Sequence, residues 1–395
     1  MASDYTFYKR TTKNNKKTYY VRFRDPETGE RLSGISTGCS TKGDADRWAR
    51  DYIAQGNLNK KSTQLFANYA KDWFAWGRCS YIKIVRQKGQ RFSKGYADAC
   101  RRHLDNHILP FFKNKKLKDI KVTDLESFLS YLSTPKTEGG KEFSTSSVNS
   151  IYQVLKIMLE EAYRKELINT TPTERVNKIV RTHKETGLIP LEKIKELFRE
   201  DTIQKVWNNN VIHFTLNLVS ASTGMRQGEI LALRIRDIHE RYIDVTHTWD
   251  RKYGLKEPKY NSKRKIPIPE LTSKYLSQLI FSHPYSDELD ALIFFGKKKE
   301  TAIDHKAVNK HFHRSMENVG IENDTRKELN ITFHSWRHTF NTMMRNKISD
   351  YKLRQLTGHK SEAMTDHYTH FSIDDYQDVA KIQNQLFNSQ FKEAV

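Results

Sequence analysis

Residues near the end of this chain have the types and spacing for phosphotransfer. His334-Ser335-Trp336-Arg337 sets an imidazole and a guanidinium three positions apart, one turn of a helix. Gly358-His359 adds a second imidazole behind a helix-stopping glycine. Tyr368 follows nine positions after His359, inside Asp366-His367-Tyr368-Thr369-His370. Guanidinium and imidazolium groups donate to phosphate oxygens, and a phenolic oxygen can attack phosphorus. Upstream, Arg226 follows the break Ser222-Thr223-Gly224-Met225 and opens a helix, with Glu229 one turn on to orient it. Taken singly, each group reads more simply as structure: a helix-start arginine, a surface pair, a tyrosine in a core. Taken together, they approach what metal-free cleavage of a phosphodiester requires. That is fixed cations for the non-bridging oxygens, a proton for the leaving oxygen and an in-line nucleophile. No metal or cofactor is expected.

Three regions must position these groups. Over residues 1–60, Thr18 to Asp25 alternates, with Tyr19, Val21 and Phe23 on one face and Tyr20, Arg22 and Arg24 on the other. Pro26-Glu27-Thr28-Gly29 signals a turn. Arg31 to Thr37 reads as a second long strand and Tyr5 to Arg10 as a third. Thr41 and Asp44 then cap a helix with the apolar stripe Ala45, Trp48, Ala49, Tyr52 and Ile53, stopped at Gly56. Residues 63–180 follow a polar linker and carry helical stripes. These are Phe66, Tyr69, Ala70, Trp73 and Phe74; then Tyr96, Ala97, Cys100 and Leu104, ending before Pro110. Thr123 with Glu126 caps another helix, and Ser144 to Ser147 precedes a long one from Val148 to Ala162. After a second linker, residues 186–395 mix helices with one hairpin, its strands Arg241 to Trp249 and Lys263 to Ile268. The fold class expected is multidomain α+β: a three-stranded sheet plus helix, a helical bundle, and a mainly helical domain with a small antiparallel sheet.

Composition narrows the partner. Lys and Arg number 68 against 47 acidic residues, for a net charge of +21 and a pI near 9.6. A balance this basic favours a polyanion, nucleic acid first. Candidate DNA contacts are Arg22 and Arg24 on the first sheet, and Arg91, Lys94, Arg101 and Arg102 on the helical region. Cys39, Cys79 and Cys100, with no Cys-x-x-Cys pair, argue for a reducing compartment and against a disulfide scaffold or thiolate zinc site. No apolar run is long enough to span a bilayer, and the first residues lack a signal-peptide core. A cytoplasmic location is expected.

Thr223-Gly-Met-Arg226-Gln-Gly-Glu229, His334-Ser-Trp-Arg337-His, Leu356-Thr-Gly-His359 and Tyr368-Thr-His370 occur in the order and near the spacing of the boxes of tyrosine recombinases, and the chain resembles that family. The family's further element, a lysine on a β-hairpin, matches Lys259 after Pro258, with Lys263 and Lys265 nearby. Trp336 departs from the family's commoner leucine. The middle region resembles the family's core-site-binding domain. The first resembles the arm-site-binding domain of lambda-type and conjugative-transposon integrases. The resemblance implies that Tyr368 attacks the scissile phosphate while Arg226, Arg337 and His359 hold it. It implies that Lys259 protonates the leaving oxygen and that His334 assists proton transfer. It also implies double-stranded DNA with core and arm sites, a homo-tetramer in synapsis and a small excision accessory protein. A tail stripe of Tyr376, Val379, Ile382 and Leu386 is expected on a neighbouring protomer, with packing on its own domain as the alternative. A non-catalytic DNA-binding regulator and a type IB topoisomerase are the competing readings. The complete catalytic set speaks against the first, and the arm-like module against the second.

Overall fold

The structure is a computed structural model. It describes residues 5–11, 17–24, 30–54, 64–134, 142–177, 179–180, 186–258, 262–345, 347–358 and 376–385. Lys259, His359, Tyr368, the stop at Gly56 and Leu386 of the tail stripe lie outside these residues. The chain divides into two compact units, Met1–Thr182 and His183–Val395.

The first unit opens with a sheet of order β1-β2-β3: β1 (Tyr5–Thr11), β2 (Lys17–Phe23) and β3 (Ile35–Ser36). The period-two pattern of β2 settles its faces. Val21 and Phe23 are buried with Ala49 of α1 (Lys42–Ala54), while Arg22 and Arg24 are exposed on the other side. Thr41 and Asp44 cap α1 mutually: the Asp44 N–H donates to Thr41 Oγ1 (3.2 Å) and the Thr41 hydroxyl returns to the carboxylate (2.7 Å). The third strand is much shorter than its composition suggests. Ahead of it only Arg31 pairs, as an isolated bridge with Arg24. A Cβ on Gly34 would fall 2.0 Å from Tyr8 Oη, so the backbone there passes under a tyrosine ring rather than continuing the ladder.

A second core in this unit gathers α2 (Phe66–Ala70), α3 (Ser80–Gln87), α4 (Lys94–His103), α5 (Leu109–Phe112), α6 (Val122–Ser133) and α7 (Thr145–Arg164) around Phe66, Phe112, Phe128, Leu155 and Met158. Two boundaries differ from the sequence reading. The chain stays helical past Pro110, because a π turn at Leu104–Ile108 absorbs the missing N–H. Helix α6 is capped by Asp124, which accepts from the Lys121 N–H at 3.0 Å, and not by Thr123 with Glu126.

In the second unit, α8 (Leu191–Phe198) and α9 (Ile203–Trp207) lead to α10 (Val211–Thr223). Residues 213–223 of α10 are all buried, so this helix is the axis of the domain. Next come α11 (Gln227–Ile230), β4 (Tyr242–Val245), β5 (Thr248–Asp250), β6 (Gly254–Lys256) and β7 (Arg264–Pro267). The domain closes with α12 (Glu270–Phe281), α13 (His305–Asn318), α14 (Asn323–Glu328), α15 (Ser335–Met344), α16 (Asp350–Thr357) and α17 (Gln377–Asn384). The expected single hairpin is two antiparallel ladders, β4 with β7 and β5 with β6. Thr246 separates them. Its hydroxyl donates to Asp237 (3.0 Å) and accepts from Arg234 (3.3 Å), which pulls the chain out of the first ladder.

Candidate active site

Glu229 is the centre of the site. It is 1% exposed and accepts from two arginines. Arg226 reaches it twice, through Nη1 (2.8 Å) and its own backbone N–H (3.0 Å). Arg264 forks onto it with Nη2 at 2.8 Å and Nη1 at 3.3 Å. Burial alone would raise the Glu229 carboxyl. The Arg264 charge and hydrogen bond, then Arg226, outweigh it and hold the group near about 2. Because α11 is a single turn whose leading N–H is already taken, the positive character here comes from guanidiniums and not from a helix dipole.

Arg337 comes from α15 and is 2% exposed. Its Nη1 donates to Gly224 O (2.8 Å) and its Nη2 to Thr357 O, which uses two of five N–H groups. Burial first, then the charges of Arg226 and Arg264, draw Arg337 down to about 9 against the support of Glu229. It remains charged at neutral pH, but as a cation short of counter-charge. Among the described residues three guanidiniums share the field of one carboxylate, so an incoming anion completes the cluster.

The end of α16 ties these arginines together. Leu356 O accepts from Arg264 Nε (2.6 Å), Thr357 O from Arg337, and Gly358 O from Arg226 Nη2 (3.1 Å). Successive carbonyls at a helix C-terminus carry partial negative charge, which suits cations. Gly224 and Gly358 allow this approach. Both have φ +64, and a Cβ on Gly224 would meet Phe340 at 2.5 Å.

His334 occupies the N-cap position of α15 with an exposed side chain, its ring edge-to-face with His338 at 5.0 Å. The protein mass around the ring, then His338, Arg337 and Arg226, lower its pKa. The neutral form, which can accept a proton, is therefore favoured. The structure thus brings Arg226, Glu229, His334 and Arg337 into one neighbourhood.

Arg264 is the group that sequence reasoning left without a role. Its signal was present, since it lies two positions before buried Ile266 on the same face of β7, and a charge on an apolar face needs a partner. Trp336 is fully buried against Phe198 and Phe312, and its indole N–H donates to Asn217 Oδ1 (2.9 Å).

Among the candidate DNA contacts, Arg22 is exposed with its guanidinium 4.9 Å over the Tyr8 ring. Arg24, Arg91, Lys94 and Arg102 are exposed as well. Arg101 differs. Its Nη1 donates to Ala70 O (3.3 Å), Lys71 O (2.9 Å) and Trp73 O (3.1 Å), and its Nε to Asp105 (2.9 Å). That guanidinium staples the turn after α2 instead of standing outward.

Residues 189–374 match the phage integrase family, and residues 85–133 match the phage integrase N-terminal SAM-like domain. Residues 189–374 thus carry a phage integrase family domain, and the chain is similar to tyrosine-type site-specific recombinases. Among its relatives is the ICEBs1 integrase of Bacillus subtilis strain 168, 24% identical over 279 residues, which covers 68% of this chain and 71% of that protein. A XerC-like tyrosine recombinase of Caldanaerobacter subterraneus subsp. tengcongensis is 23% identical over 320 residues, covering 72% and 77%. The fold is shared with the Tn1549 transposon integrase in complex with a circular intermediate DNA (TM-score 0.57, 21% identity, 74% of this chain and 95% of that one). It is also shared with a lambda integrase tetramer bound to a Holliday junction (TM-score 0.56, 17% identity, 93% and 98%).

Proposed function

We propose that this chain integrates and excises a mobile element by cleaving and rejoining double-stranded DNA through a 3′-phosphotyrosyl bond made by Tyr368. The observation that carries the reading is the cluster of Arg226, Arg264 and Arg337 around the carboxylate of Glu229. Arg226 and Arg337 hold the non-bridging oxygens of the scissile phosphate, with His359 as a further donor. The Tyr368 oxygen attacks phosphorus, its proton passing toward neutral His334, while the 5′ oxygen leaves with a proton from Lys259. The phosphodiester bond energy stays in the tyrosyl ester, so rejoining to a partner strand needs no nucleotide.

Residues 1–60 serve arm sites, 63–180 core sites and 186–395 catalysis. The separate core of Val21, Phe23 and Ala49 supports the first division. Arg22, Arg24, Arg91, Lys94 and Arg102 contact DNA in this reading, and Arg101 supports the fold. Four protomers act on two duplexes, with a small accessory protein directing excision, in the bacterial cytoplasm. Among the described residues no helix is long and apolar enough to cross a membrane.

The test is incubation with nicked core-site DNA followed by denaturing electrophoresis. The native chain should give a protein–DNA adduct that survives detergent, and Tyr368→Phe should give none. Absence of the native adduct, or its persistence in Tyr368→Phe, would sink the assignment. Exchange of strands between two duplexes separates a recombinase from a topoisomerase, and adduct formation separates both from a regulator.

A further inference from the structure

Building on that reading, we propose that Arg264 is a positioning residue for strand cleavage: its guanidinium sets the spacing between the turn that carries Arg226 and the end of α16 that precedes His359. Each of its three nitrogens donates to protein. Nε donates to Leu356 O (2.6 Å), Nη1 to Ser262 O (3.1 Å) and Glu229 (3.3 Å), and Nη2 to Glu229 (2.8 Å). The side chain is 8% exposed, against 26% for Arg226, so Arg264 sits behind the surface that meets a phosphate. It acts through other groups and touches no DNA.

Three segments meet on this one side chain: α11 through Glu229, the chain entering β7 through Ser262, and α16 through Leu356. In sequence these adjoin Arg226, Lys259 and His359. The packing leaves no slack. A Cβ on Gly358 would stand 3.2 Å from both Arg264 Nη1 and Ser262 Cβ. A lysine preserves the charge but offers one ammonium on a flexible stem, which cannot bridge a carboxylate and two carbonyls at once.

The test uses the full chain and nicked core-site duplexes carrying either the natural 5′ oxygen or a bridging 5′ sulfur at the scissile bond. A thiolate leaves without a proton donor, so the sulfur substrate bypasses any fault in leaving-group protonation. Arg264→Lys should slow adduct formation by about 100-fold, the usual consequence of a misplacement near 1 Å. Its DNA affinity should stay within about threefold, and the sulfur substrate should not restore the rate. Glu229→Asp keeps the charge but withdraws it from the fork, and should behave alike if Arg264→Lys does not fold. The double variant should lose less than the product of the two single losses, because the variants share the Arg264–Glu229 contact.

Cleavage by the Arg264→Lys variant within about threefold of the native rate would overturn the proposal. So would a loss of cleavage matched by an equal loss of binding. Rescue by sulfur would overturn it too, reducing Arg264 to a support for the proton donor. If the native chain forms no tyrosine adduct, it is the recombinase reading that fails. If the native chain and Arg264→Lys form it equally, only the positioning role does.

Discussion

Glu229 carries a prediction that belongs to a single side chain. Its folded pKa of about 2 lies below the ordinary 4.5, so its contribution to stability is fully present above pH 4.5 and is lost as pH falls toward 2. The depression corresponds to about 3 kcal/mol. Glu229→Gln should therefore lower unfolding free energy by about 3 kcal/mol at pH 7, because it leaves Arg226 and Arg264 facing a neutral amide. Between pH 4.5 and 2 the gap between variant and native should close. Urea titrations at pH 7 and pH 3 check this, and equal gaps at both would refute it. Arg226, Glu229, His334 and Arg337 were legible in sequence because helical spacing of three positions puts groups on one face. For Arg264 only the need for a partner was legible and not the partners themselves, which lie 35 positions before it and 92 after it. No local period links such distances; only the fold does.

At the scale of elements, α10 and α15 bring the site together. Arg337 on α15 reaches back to the carbonyl of Gly224, the residue that caps α10, and Trp336 beside it hydrogen-bonds Asn217 within α10. The tryptophan stands where the family's commoner residue is leucine, and Asn217 is its structural counterpart. Trp336→Leu should leave a cavity among Phe198, Phe312 and Asn217 and strand a buried amide oxygen. The expected cost is about 3 to 5 kcal/mol, from cavity and lost hydrogen bond together. Asn217→Leu added to Trp336→Leu should recover part of it, because an apolar pair replaces a stranded polar atom. Thermal melts of native, single and double variants decide this; a double variant less stable than the single would refute it. Helices here were legible from their apolar stripes and caps, as at Ser144 and Thr41. The split of one hairpin into two ladders was not. It turns on Thr246 binding Asp237 and Arg234, side-chain bonds that leave no mark on alternation.

At the scale of the whole molecule, the net charge of +21 was enough to name a polyanion, whereas the placement of the tail needed the fold. In the single chain, α17 lies on its own domain, although the resemblance suggested a neighbouring protomer. Tyr376 and Val379 join the core, Ile382 packs against it, and buried Gln383 donates to Ser222 O (2.9 Å) and Pro267 O (3.0 Å). Those carbonyls end α10 and β7, the elements that lead into Arg226 and out of Arg264, so the tail braces the site from behind. Ending the chain at Ser372 would remove these apolar side chains and uncover both carbonyls. At about 1.5 to 3 kcal/mol for each apolar side chain, partly offset by the freed chain entropy, the net loss is about 5 kcal/mol. For a domain of this size that lowers the melting temperature by about 10 to 20 °C. The truncated chain should show this drop as a monomer without DNA. A tail that packs only on a neighbour predicts the opposite pattern: an unchanged monomer melt, with loss confined to tetramer assembly on DNA. Melting of the monomer, followed by assembly on paired core sites below the new transition, separates bracing within one protomer from coupling between protomers.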